Sequence, residues 1–135
     1  MWYSYAIIRV VPRVERGEFV NAGIILFART GRYLKARVEL DADRLRALAP
    51  LANPALIERH LRAFEAICAG APEGGPVAAL PPSERFHWLT APRSTVIQTS
   101  PVHVGCCPDP EEALEELLAT FVRPPAGSGQ AAGSR

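Results

Sequence analysis

Two long strand-like runs that are apolar on both faces open the chain, and they constrain its fold more than any other feature. Tyr3 to Val11 and Phe19 to Phe27 are rich in aromatic and β-branched residues. Between them Pro12-Arg13-Val14-Glu15-Arg16-Gly17 has the composition of a turn, in which Gly17 is free to take a positive φ. Pairing Arg13 with Glu18 would close a four-residue loop and set opposite charges across the strands. After the Thr30-Gly31 turn, Tyr33 to Leu40 alternates: Leu34, Ala36, Val38 and Leu40 on one face, Tyr33, Lys35, Arg37 and Glu39 on the other. In this register Ala6, Ile8 and Val10 share a core face with Asn21, Gly23, Ile25 and Phe27. The opposite face collects Tyr3, Tyr5, Ile7, Arg9, Ile24 and Leu26 beside Lys35 and Arg37. That second face is too apolar to stand bare in water, so a helix or a partner must cover it. A slip of one residue would exchange the faces of the first strand.

Helices follow the meander. Asp41 caps a short one through Leu48, which Pro50 stops. Asn53-Pro54 starts a long one, with an apolar stripe of Leu56, Ile57, Leu61, Phe64, Ile67 and Cys68 and an end at Gly70. Gly70 to Pro82 is a loop by composition. Phe86 to Leu89 reads as a strand or an anchoring turn, and Thr95 to Thr99 as a strand bracketed by Pro92 and Pro101. Asp109-Pro110-Glu111-Glu112 opens the last helix as cap, first-position proline and capping-box partner, and Leu114, Leu117, Leu118 and Phe121 give it an apolar face. The expected fold is α+β: an antiparallel sheet, made of the three-stranded meander and one later strand, with two long helices and a short one packed on it. Residues 1–123 form the expected single domain, and residues 124–135, rich in Pro, Gly, Ser and Ala, a disordered tail.

Composition narrows the function classes. A 135-residue chain with 48% hydrophobic residues can bury a core. No apolar run approaches the roughly 20 residues a bilayer crossing needs, and Met-Trp-Tyr-Ser-Tyr does not open a signal peptide, so no membrane association is expected. Cys68, Cys106 and Cys107 are too few for a disulfide framework, which points to a reducing cytoplasm. Residues 1–37 hold seven basic groups against two acidic ones, and the remainder eight against twelve. Such asymmetry marks either a binding face or two halves of one fold that face each other. Lys35 is the only lysine beside many arginines, a bias of GC-rich genomes rather than a sign of phosphate binding.

Two blocks carry a family likeness. Tyr5 to Arg16 (YAIIRVVPRVER) with Glu18 to Phe27 (EFVNAGIILF), and Arg85 to Leu89 (RFHWL) with Ala91 to Gln98 (APRSTVIQ), resemble the signatures of an uncharacterised bacterial family catalogued as domain of unknown function 3037. The likeness covers about residues 3 to 122. The family has no assigned activity. Its members are sometimes encoded beside kinase-like proteins of the toxin–antitoxin type, so the resemblance implies a protein partner.

Several residues invite a chemical role. Arg93, Ser94 and Thr95, at a turn entering a strand that continues through Gln98, offer a guanidinium and two hydroxyls to an anion. The alternative is that Arg93 is a polar anchor and the hydroxyls close the turn. Arg9 and Asn21 lie in otherwise apolar strands and need partners, either in an internal network or in a ligand-facing cluster with Arg93 and His87. His103-x-x-Cys106-Cys107 lacks the spacing of a metal site, so no metal is expected, and no cofactor-binding motif is present. Tyr3, Tyr5 and Ile24, rimmed by Lys35 and Arg37, have the composition of an interface. The reading is a non-catalytic binding or accessory protein with a protein partner or self-association. The alternatives are a small enzyme or anion binder using the Arg93-Ser94-Thr95 turn, and nucleic-acid binding through the basic, aromatic sheet face.

Overall fold

The two apolar runs form the central strands of one antiparallel sheet. A computed structural model describes residues 1–125, so the expected tail lies, apart from Pro124 and Pro125, outside the described residues. Strands β1 (Trp2–Val10), β2 (Val20–Ala28) and β3 (Tyr33–Val38) make the meander. Strands β4 (Ile97–Thr99) and β5 (His103–Cys106) lie end to end along the other side of β1, β4 on its second half and β5 on its first. The α+β class is as expected, with one strand more than the sequence suggested.

The expected register holds where it matters most, with Ala6 opposite Ile25 and Ile8 opposite Gly23. Beyond that point a bulge intervenes, so that Arg9 faces Asn21 and Val10 faces Val20. The extra residue turns Asn21 off the expected core face and onto that of Arg9. The loop is also longer than four residues: a 3-10 turn over Val14–Arg16 ends at Gly17 with φ 70°, and Glu18 pairs with Arg16 at 2.6 Å rather than with Arg13.

Three helices cover one face of the sheet. The first, α1 (Ala42–Leu48), is capped by Asp41, whose carboxylate accepts from the N–H groups of Asp43 and Arg44. Next comes α2 (Pro54–Ala69), capped by Asn53 and closed by Gly70 in the left-handed conformation. The third, α3 (Pro82–Thr90), occupies the stretch read as a strand or turn. Its first-position proline starts a helix, and Phe86 and Leu89, one turn apart, both enter the core. On this side Ile8, Val10 and Ile25 pack with Leu45, Leu61, Phe64 and Leu89.

The last helix, α4 (Pro110–Leu117), lies on the opposite face and runs on through a wider turn over Leu118–Val122, where the Arg123 N–H reaches the Leu118 carbonyl. Ile7, Ile24, Leu26 and Ala28 are buried against Leu114, Leu118 and Val122. Helices on both faces answer the demand made by strands that are apolar on both sides. No helix is long and apolar enough to cross a membrane among the described residues.

Candidate functional site

The expected interface is the seat of α4. Ile24 is fully buried, and Tyr3 and Tyr5 are half-buried beside Leu117 and Phe121. The basic rim is neutralised by the acids of α4: Lys35 donates to Glu111 at 2.7 Å and Arg37 to Glu115 at 2.6 Å. The Tyr33 hydroxyl also donates to Glu111, at 2.8 Å. Arg123 bridges Glu39, at 2.8 Å, and Glu115. The basic first third of the chain therefore faces the acidic last helix, and Lys35 and Arg37 are engaged rather than poised for phosphates.

This network also displaces titrations. The Arg123 guanidinium holds the carboxyls of Glu39 and Glu115 below the usual range, and the Lys35 ammonium does the same to Glu111. Burial, followed by the bond to Glu111, pushes the Tyr33 phenol up. Burial raises Tyr3 and drives the Cys68 thiol up to about 12. Among the described residues no three His, Cys, Asp or Glu side chains are grouped to hold a metal ion.

The polar residues singled out in the sequence do not converge. Arg9 stacks over the Phe19 ring at 4.2 Å, and Asn21 donates to the Phe121 carbonyl at 2.9 Å, tying the end of the last helix to β2. Arg9 Nε and Asn21 Oδ1 are buried without a hydrogen-bond partner among the described residues. Gln98 lies opposite Arg9 but donates to the Thr95 carbonyl at 2.8 Å. Arg93, just beyond α3, folds back on it: it donates to the Trp88 carbonyl and lies 5.0 Å from the indole ring. Thr95 Oγ1 donates to Ile97 O at 2.8 Å, closing the turn, and Ser94 is exposed. The turn thus spends Arg93 and Thr95 on its own backbone and on α3, and neither Arg9 nor Asn21 joins them.

Of the ligand candidates, His87 opens onto a groove. Trp2 and Ser4 on β1, Phe27 on β2 and Val104 on β5 share a sheet face where α3 does not reach across, and α3 forms the wall with Ser83, His87 and Trp88. Four adjoining depressions make up this groove, and Arg29 borders all of them. One, of 390 Å³, brings together Ser4, Arg29, Ser83, His87 and Thr90. Another, of 340 Å³, adds Arg32 beside the start of α3, where no side chain caps the helix.

Arg32 carries an unusual backbone. It sits at φ 51°, the left-handed region, although Gly31 precedes it and would adopt that conformation freely. Neither Arg29 nor Arg32 makes an ion pair among the described residues. Sequence reasoning singled out neither arginine. The available signal was the chain's two tryptophans, both of which this groove leaves in water: Trp2 is 70% exposed and Trp88 46%.

Residues 5–122 match the model of a family described as Protein of unknown function (DUF3037). The chain belongs to the DUF3037 family. Both sequence blocks that suggested it lie within the match, the first across β1 and β2 and the second across α3 and β4. Of the groove lining of this DUF3037 protein, Phe27 falls in the first block and Phe86, His87 and Trp88 in the second, whereas Trp2 and Ser4 precede the match. No curated protein and no solved structure matches the chain.

Proposed function

We propose that this DUF3037 protein is a non-catalytic binding module that docks a partner protein in the groove between α3 and the open end of the sheet. The observation that carries this reading is the exposure of both tryptophans on one groove, beside two arginines with no ion pair among the described residues. Large aromatic side chains cost free energy in water, and aromatic residues with arginine are what protein interfaces bury at their centres. This surface lies on the other face of the sheet from Tyr3, Tyr5, Ile24, Lys35 and Arg37 and shares no residue with them. A kinase-like protein encoded beside the gene is the first partner to test. The wild-type chain should capture it, and Trp88→Ala or Arg29→Glu should abolish capture without loss of folding. Leu51→Glu, at a side chain 98% exposed near the opposite end of β1, should not affect it. Equal capture by all variants would remove the groove from the interface.

A further inference from the structure

We infer that the partner enters this groove as an extended acidic segment, added as a new strand to the free edge of β5. The inference rests on the docking reading above and specifies what docks.

Among the described residues β5 pairs with β1 on one side alone. Met1 and Cys107 exchange both backbone hydrogen bonds, the Met1 amine donating to Cys107 O at 2.6 Å and the Cys107 N–H to Met1 O at 2.9 Å. In an antiparallel ladder such pairs alternate with open ones, so Gly105 and His103 turn their backbone groups toward β1. Val104 and Cys106 consequently present theirs to the free edge. Natural edges are guarded by short length, lysine, proline, bulges or covering segments, and β5, at four residues, has the first of these. His103-Val104-Gly105-Cys106 contains no lysine or proline, and the Val104 side chain is 66% exposed. A short, exposed edge without lysine or proline accepts an extended chain through main-chain hydrogen bonds, while alternate side chains find pockets.

Those side chains would fall into the groove, because Val104, Trp2 and Arg29 border the same depression. Strands lie about 4.8 Å apart, so an added strand runs about 14 Å from β2. Arginine and a long acidic side chain reaching toward each other span that distance. Charge then selects the partner, since the groove sets Arg29 and Arg32 against Glu84, which pairs with neither arginine among the described residues. On the α4 face Lys35, Arg37 and Arg123 all have carboxylates, whereas Arg29 and Arg32 have none among the described residues. Partial desolvation by a bound segment strengthens an arginine–carboxylate contact at the groove. A second copy of the chain fits poorly, since β5 carries no acid and the next one, Asp109, caps α4.

The test uses the full chain and a displayed library of random dodecapeptides. Selected peptides should alternate acidic with apolar residues, and binding should slow amide exchange at Val104 and Cys106. Arg29→Glu should weaken the selected peptide at least tenfold. Val104→Pro, which removes an outward N–H without touching the β1 ladder, should do the same, and the exchange measurement stands where that variant misfolds. Basic peptides, binding that leaves exchange at both amides unchanged, or a dimer through β5 in sedimentation would each overturn the inference. Loss of capture with Trp88→Ala alongside unchanged edge amides would defeat strand addition and leave the docking reading intact. Capture indifferent to Trp88→Ala would defeat the docking reading itself.

Discussion

Replacing Ser100 with alanine should destabilise the fold more than its size suggests. β4 and β5 pair with β1 in registers that differ by one residue, and Ser100 sits at the break. Its N–H donates to the Ile7 carbonyl, and the Ile7 N–H donates to Ser100 Oγ, both at 2.8 Å. The hydroxyl therefore stands where a strand carbonyl would have been, and itself donates to Pro101 O at 2.9 Å. Ser100 is 2% exposed and Ile7 7%, so water does not replace the lost acceptor. An orphaned buried N–H costs about 1–3 kcal/mol. Unfolding entropy of about 2.1 cal/mol/K per residue, over roughly 120 residues, gives about 0.25 kcal/mol per degree. A loss of about 2 kcal/mol thus lowers the thermal midpoint by about 8 °C. Thermal and urea unfolding followed by circular dichroism measure it, and Ser94→Ala, at an exposed side chain, serves as the control. A Ser100→Ala protein within about 0.5 kcal/mol of wild type, the range of ordinary surface substitutions, would show that the hydroxyl is no member of the ladder.

Other perturbations follow from the same geometry. Arg32→Gly relieves a left-handed backbone that costs about 1–2 kcal/mol, against the roughly 0.5–1 kcal/mol entropic cost of glycine. The variant should be slightly more stable in urea yet capture less partner; a destabilised variant would refute the strain. The lowered carboxyls of Glu39, Glu111 and Glu115 contribute stability that is present above their unfolded pKa of about 4.3 and lost as pH falls through their folded values. The urea midpoint should therefore fall below about pH 5, and Glu39→Gln with Glu115→Gln should flatten that fall. With its thiol raised to about 12 by burial, Cys68 should resist a disulfide reagent at pH 8 until the protein unfolds, while the exposed Cys106 reacts. Equal labelling of both in the folded state would contradict the packing of α2.

The meander, the caps at Asp41, Asn53 and Asp109, and the end at Gly70 were legible because each is a local signal. The bulge at Arg9 and Asn21 was not, since strands apolar on both faces have no alternation for one extra residue to break. The segment Phe86-His87-Trp88-Leu89 places apolar residues three apart, which suits a turn, a strand end or a helix, and only its seat on the core makes it helical. β5 becomes a strand solely through its pairing with β1. The charge network did leave a trace. Glu111 and Glu115 are one helical turn apart, about 6 Å of rise. Lys35 and Arg37, two strand residues apart, span nearly the same length, about 6.6 Å. Matching those spacings would have put α4 over the meander. The groove was illegible because Trp2, Arg29, Trp88 and Val104 meet only after the chain has closed on itself.

The position of α4 in the chain has a kinetic consequence. Ile7, Ile24 and Leu26 are made early, while Leu114 and Leu118, which cover them, are made last. Until the ribosome has delivered α4, the sheet exposes an apolar face, a form prone to stick to other nascent chains. Closure is also non-local, joining residues about a hundred positions apart, which slows folding. Nascent chains arrested before α4 should therefore recruit chaperones that chains released with α4 do not.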